Sequence, residues 1–511
     1  MLDLFDKLYK PDVLSCLADL SNDEVMTPPN IANKMLDLLP QDIFTNPDTK
    51  ILDPCCKSGV LLREAAKRFI EGEREKFKSL QECIDWVFHN QLYGIAITEM
   101  TSLLSRRSVY CSKYPNSPYS ITQFDAYDIQ GNILYRRNEH VWEGKGDKRH
   151  CAICGASAKE FDRDIALENH AYELIHNTNP EEIFNMKFDV IIGNPPYHLE
   201  DNGNGTSAKP IYHLFVEQAK KLNPKYLVMI IPARWYVGGK GLSDFRKTML
   251  NDSSISTLVD YENYKDAFPS VSGLAGGVCY FIRDRDYNGL CHVINYTNEI
   301  VSETDRCLNE YDTFIRSNDA LNIVHKVLAW NNKENNGNLL MNTVSSRKPF
   351  GLPTNYEPKT SGIPCQFIQR IGKKYASESD VVDDKGYLGK WKLIAPKAPI
   401  AGQTDFSNAV KIYYESNTAI LAPGECCTES FIILGAFDTE EECLNYKSYI
   451  FTKPVRYLLL QAVVSQDITK QNYCFVPAFD KYNKTYSNKD LYDLWGLTPE
   501  EIAIVESRIA D

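Results

Sequence analysis

Four consecutive residues, Asn194-Pro195-Pro196-Tyr197, combine oxygen acceptors, a stiff backbone and a flat ring. They follow the apolar run FDVIIG at 188–193, which reads as a strand, so they stand at the carboxyl end of a sheet, where open α/β folds bind ligands. An exocyclic amine such as that of adenine is a poor nucleophile, because its lone pair is delocalised into the ring. The side-chain carbonyl of Asn194 and the main-chain carbonyl of Pro195 can both accept hydrogen bonds from such an NH2, localising the lone pair and aiming it at a sulfonium methyl. The prolines fix φ and remove competing donors. Tyr197 offers a face for an extruded base, and such stacking contributes about 1–3 kcal/mol. The same four residues also suit a plain strand-to-turn junction with a packed tyrosine.

Positioning these groups requires a sheet, and the sequence predicts one. Short apolar runs at 51–53 (ILD), 92–97 (LYGIAI), 188–193, 226–232 (YLVMIIP) and 277–282 (GVCYFI) alternate with amphipathic stretches over Leu61–Ile70, Glu99–Arg107, Tyr212–Leu222 and Ser243–Leu250. That alternation indicates an α/β domain with a largely parallel sheet. The periodic pattern is expected to finish near Asp284, and 301–345 reads as a helical linker ending in the polar segment WNNKENNGN. Residues 346–511 are rich in Tyr, Pro and Gly, carry short β-like runs, and end in a helix expected over Leu497–Ile509.

With these motifs in place the chain resembles the N-P-P-Y (gamma-type) DNA adenine-N6 methyltransferases of restriction-modification systems, over nearly its whole length. The resemblance implies a Rossmann-like S-adenosylmethionine-dependent methyltransferase domain over 1–300 and a mixed α+β target-recognition domain over 346–511. Val25-Met26-Thr27-Pro28-Pro29 resembles the family segment that closes over the methionine end of the cofactor, through Thr27 and Pro28. ILDPCCKSGV at 51–60 resembles the cofactor loop usually written D-P-A-C-G-S-G. Asp53 and Gly59 match it, whereas Cys55 and Lys57 depart from it. Where the family holds the ribose with an acid, YGIAITEM has Ala96, which leaves Glu99 either to substitute or to serve as an ordinary helix-start acid. By the same resemblance Asp125 accepts from the cofactor adenine and Phe215 packs on it. Phe268, in DAFPSV, faces Tyr197 across the flipped base. Asp125 and Phe215 also fit plain structural roles, as does Phe268.

An insert over 140–180 contains Cys151-x2-Cys154 followed by His170 and His176. This spacing suits a structural Zn2+ with two thiolates and two imidazoles; the alternative is reduced thiols and surface histidines. Fifteen cysteines, scattered without the density of a disulfide scaffold, suit a reducing compartment. MLDLFDKLYK lacks the pattern of a secretion signal, and no apolar run approaches the ~18 residues of a membrane span, so a cytoplasmic location without membrane contact is expected. The net charge of −12 excludes a surface that is basic all over. Double-stranded DNA as partner therefore requires local basic groups, for which Arg106-Arg107, Arg136-Arg137, Lys145-Lys148-Arg149, Arg347-Lys348 and Arg370-Lys373-Lys374 are candidates. The chain carries no recognisable nuclease or helicase motif, so family analogy points to a separate restriction subunit. Two other functions stay open: an N-P-P-Y enzyme acting on RNA or protein glutamine, and a catalytically inactive DNA-binding subunit.

Overall fold

The computed structural model describes residues 25–511 except 165–168, 200–208, 238–240, 270, 272–275, 298–299, 369, 401–408 and 464–466. The chain divides into two compact units, one ending at Glu310 and the other spanning Tyr311–Asp511.

The first unit opens with α1 (Pro29–Asp37), whose leading proline costs no helical hydrogen bond in the first turn. Strand β1 (Ile51–Cys56), helices α2 (Val60–Glu73) and α3 (Leu80–Asn90), strand β2 (Leu92–Ala96), helix α4 (Glu99–Tyr110) and the short β3 (Ile133–Leu134) form the first half. The insert follows, with β4 (Trp142–Glu143), β5 (His150–Cys151), α5 (Ala158–Phe161) and α6 (Glu173–His176). Next come β6 (Val190–Gly193), a small hairpin of β7 (His198–Leu199) and β8 (Lys209–Pro210), α7 (Tyr212–Lys221), β9 (Tyr226–Pro232) and α8 (Ser243–Leu250). Strands β10 (Ile255–Tyr261), β11 (Val278–Asp284), β12 (Cys291–Thr297) and β13 (Ile300–Arg306) complete the unit.

One nine-stranded sheet organises it, in the order β13-β12-β10-β11-β9-β6-β1-β2-β3. β1 pairs in parallel with both β2 and β6, and β6 in parallel with β9, while β11 runs antiparallel between β9 and β10. Strand order therefore reverses between β1 and β6, and the crevice at their carboxyl ends is where such sheets accept ligands. The central strands are apolar throughout because both faces are covered; Val190 to Ile192 and Leu227 to Ile231 are fully buried. β12 alternates buried and partly exposed residues, as a strand with one wet face does.

The second unit mixes helices and small sheets. Its elements are α9 (Asn318–Glu334), β14 (Ile363–Gln366), β15 (Lys373–Ala376), β16 (Trp391–Pro396), β17 (Ala419–Leu421), β18 (Cys426–Cys427), β19 (Phe431–Phe437), α10 (Glu440–Phe451), α11 (Lys453–Ala462), α12 (Asn488–Trp495) and α13 (Pro499–Arg508). Sheets ordered β15-β14-β18 and β17-β16-β19 pack within it. Its main core joins Val324 and Val327 of α9 to Tyr446 and Tyr449 of α10 and Leu458 of α11.

Two sequence expectations are corrected here. The sheet does not finish near Asp284, because β12 and β13 extend it to Arg306. Nor does a separate linker occupy 301–345: its first residues belong to β13, and α9 buries one apolar face in the core of the second unit. That burial is what recruits the helix, since an amphipathic stripe of this width cannot remain wet.

Candidate active site

The loop after β1 and the turn after β6 meet at the reversal point. A methyl group placed on Gly193 would lie 2.9 Å from the Cys55 thiol, 3.2 Å from Pro54 and 3.6 Å from Asp53 Oδ1. Only glycine permits that approach, and it brings Asp53 beside Asn194. Gly59 caps the N-terminus of α2 at φ +73°, and a Cβ there would stand 2.9 Å from the main chain of Ser105. The loop therefore needs glycine twice over, for its left-handed backbone and for its close packing.

Asn194 is buried, and its orientation is fixed by two partners on the segment before α1. Its Nδ2 donates to the carbonyl of Val25 and to the hydroxyl of Thr27, each at 3.0 Å. With both amide hydrogens used, Oδ1 is left buried and without a hydrogen-bond partner. Leaving such an acceptor unpaired costs about 1–3 kcal/mol, which a purely structural asparagine would avoid. Thr27 thus reaches the turn itself, and Pro28 is the extended residue that precedes α1.

Pro195 and Pro196 are buried in the turn, and Tyr197 is 2% exposed with its hydroxyl unpartnered. Burial pushes that phenol well above its usual range. Lys57 lies 5.8 Å from the centre of the Tyr197 ring and donates to the Val25 carbonyl at 3.0 Å. Lys57, one of the two departures from the usual loop, therefore ties the cofactor loop, the N-terminal segment and the tyrosine together. Tyr212, at the start of α7, brings a second buried phenol near Tyr197. Trp235 closes the far side and donates to the Cys279 thiol at 3.3 Å. Tyr212 carries no sequence signal, because a tyrosine opening a helix has no pattern of its own, and Lys57 shows in the sequence only as a departure from the usual loop. Phe268 is buried in the same core as Tyr197, just beyond β10.

Asp53 is fully enclosed, accepting from the Cys55 amide at 3.1 Å, and desolvation raises its carboxyl to about 6. In the empty protein, stability falls as pH rises from about 3.8 to about 6, because the unfolded carboxyl loses its proton first. A cationic ligand beside Asp53 reverses that preference, so its affinity should weaken as pH drops through about 6. Calorimetric titration of S-adenosylmethionine between pH 5 and 8 should show affinity approaching a fall of about tenfold per pH unit below about 6, and Asp53→Asn should flatten it.

Glu99 lies exposed in the first turn of α4, just beyond the carboxyl end of β2 where Ala96 is buried, so it shares an edge with Asp53. The expectation for Asp125 is corrected. Asp125 is exposed in a turn that precedes β3, and its neighbour Phe124 stacks at 4.0 Å on His89 at the end of α3. It therefore sits by the amino ends of the strands, across the sheet from Asn194. Phe215 points into the insert: its ring is wholly buried, 5.6 Å from Tyr172.

The insert brings Cys151, Cys154 and His176 together, but its fourth member is His140 and not His170. His170 turns away with φ +56° and pairs through Nδ1 with the Tyr172 hydroxyl at 3.1 Å. None of the described cysteines forms a disulfide. Several basic candidates are already committed: Arg106 is buried on the Ile133 carbonyl, Arg136 pairs with Glu173, and Arg347 and Lys348 both pair with Glu429. Arg370 and Lys374 are exposed. No helix among the described residues is long and apolar enough to cross a membrane.

Residues 90–268 match the family described as "Eco57I restriction-modification methylase". An "Uncharacterized adenine-specific methylase" of Mycoplasma pneumoniae is 34% identical over 303 residues, covering 55% of this chain and 71% of that protein. Among solved structures, the methyltransferase subunit of a type I restriction-modification system from Streptococcus thermophilus is 13% identical, with a TM-score of 0.34, over 55% of this chain and 50% of that one. MmeI, a type IIL restriction-modification enzyme solved in complex with DNA, is 11% identical, with a TM-score of 0.44, over 92% of this chain and 65% of that one. The chain thus spans about half the length of the type I subunit it matches. By its identity to the Mycoplasma protein, across more than two thirds of that relative, the chain belongs to the adenine-specific methylases.

Proposed function

We propose that this chain transfers a methyl group from S-adenosylmethionine to N6 of adenine in double-stranded DNA, with the target base flipped out of the helix. It would serve as the modification component of a restriction-modification system, beside a separate restriction subunit. The observation that carries this reading is the buried Asn194 Oδ1, an oriented acceptor with nothing to accept from. An adenine amine supplies the missing donor, and the hydrogen bond it makes there pulls its lone pair out of the ring.

The cofactor loop fits S-adenosylmethionine. Asp53 offers a buried carboxylate to the positively charged methionine portion, on a loop whose backbone packs closely at Gly59 and beside Gly193. When bound, the cofactor supplies an electrophilic methyl on a cationic sulfur. Thr27 and Val25 hold the Asn194 amide so that Oδ1 faces the base, with the Pro195 carbonyl as the second acceptor. Tyr197 and Phe268 provide aromatic faces for the flipped ring. Since Oδ1 is fully buried, a base reaches it only when part of what covers the turn moves. Glu99 is the acid proposed for the ribose, and the second unit is proposed to read the sequence, with exposed Arg370 and Lys374 as phosphate contacts.

Tyr197→Phe separates stacking from hydrogen bonding. The hydroxyl is buried and unpartnered, so its removal should leave methylation within a few-fold of wild type and raise stability by up to about 1 kcal/mol, read from urea unfolding. Tyr197→Ala should lose activity through KM and kcat together. A direct test of the substrate class is tritiated methyl transfer from the cofactor to DNA, RNA and protein in parallel. Label in DNA alone supports the reading, and label in RNA or protein alone overturns it.

A further inference from the structure

We propose that His140, Cys151, Cys154 and His176 bind one structural Zn2+ that braces the insert against the hairpin following the Asn194 turn. The four ligand atoms all lie within 4.8 Å of one another. Zn–S bonds of about 2.3 Å and Zn–N bonds of about 2.0–2.1 Å, arranged tetrahedrally, require sulfur and nitrogen to stand about 3.6 Å apart. The Cys151 thiol lies 3.6 Å from His176 Nε2, and the Cys154 thiol 3.4 Å from His140 Nδ1.

Both imidazoles are oriented for ligation. His176 donates through Nδ1 to the Tyr172 carbonyl at 2.9 Å, and His140 donates through Nε2 to the Asn169 carbonyl. Each ring's other nitrogen therefore carries its lone pair toward the two thiols. This is the outer-shell arrangement that fixes tautomer and raises ligand basicity at zinc centres. The Ile153 amide donates to the Cys151 sulfur at 3.4 Å, which favours a thiolate there. Three of the four ligands are buried, and the rings of Trp142 and Phe161 lie 4.7 and 6.3 Å from that of His140, so water has little access. Two thiolates with two imidazoles suit Zn2+ and leave no open coordination position, so the site is structural.

What the metal would hold together follows from the segments it joins. His140 lies six residues beyond β3, the cysteines flank the turn after β5, and His176 ends α6. Gln218 of α7 donates to the carbonyls of Leu174 and Asn177 on either side of His176. Gly155, at φ +72°, packs on Lys209 of β8, whose partner β7 begins directly after Tyr197. One ion would thus fasten three chain segments to the two elements that leave the Asn194 turn.

This inference is independent of the methyltransferase reading, because its readout is metal content. The full chain, purified without chelator, should contain one zinc per molecule by elemental analysis. His140→Ala and Cys154→Ser should each lose it, while His170→Ala should keep it. Co2+ added to chelator-stripped wild-type protein should give the visible bands of a tetrahedral site with thiolate-to-cobalt charge transfer, which keeps the test open should the cysteine variant fail to fold. Zinc absent both as purified and after Zn2+ titration, featureless cobalt spectra, or loss of zinc in His170→Ala but not in His140→Ala would each overturn the assignment.

Discussion

Asn194→Ala should remain folded and bind S-adenosylmethionine within a few-fold of wild type, yet lose about a hundred- to a thousandfold in methyl transfer, the usual result of deleting one group aimed at transition-state charge. The asymmetry follows from the bonding of the amide. Its two hydrogen bonds to Val25 and Thr27 are ordinary contributions, worth about 1 kcal/mol each, and alanine also removes an acceptor that was buried at a cost. Stability therefore changes little, whereas the site loses the oxygen that would meet the amine. Single-turnover rates on DNA, beside cofactor titration, check both halves. A variant that transfers methyl normally would remove Asn194 from the mechanism.

The second large effect is expected from backbone geometry. Gly59→Ala forces a Cβ into left-handed backbone, at about 1–2 kcal/mol, and drives it to 2.9 Å from main-chain atoms of Ser105, which cannot rotate away. The whole cost should reach about 2–4 kcal/mol, seen as a lower urea midpoint. Where the fold absorbs the strain it can do so only by shifting the loop that carries Asp53, so cofactor affinity should fall at least tenfold. An alanine variant with wild-type midpoint and affinity would show that the loop is not held as described.

How far the chain could be read in advance depended on local signals. β6 and its turn were legible because an unbroken apolar run followed by two prolines has few other solutions, and Gly59 because a strand-to-helix loop needs a left-handed residue. Asp125 misled because β3 is only two residues long, too short to show as a strand, so the aspartate before it passed for one at a strand's carboxyl end. β12 and β13 were hidden by their wet face, which dilutes CHVINYT and IVSETDR with polar residues. His170 was preferred to His140 since ligand spacing was counted only downstream of Cys151, while the fold returns the chain upstream of it. The unpaired oxygen of Asn194 had no signature at all, because it depends on partners 167 and 169 residues away.

Nucleoside analysis of DNA incubated with the purified chain and S-adenosylmethionine bears most directly on the site. The arrangement around Asn194 predicts a single modified nucleoside, N6-methyldeoxyadenosine, absent when Asn194 is replaced by alanine. Methyl found instead on C5 of cytosine, a ring carbon that bears no amine hydrogens for the acceptors to hold, would contradict it.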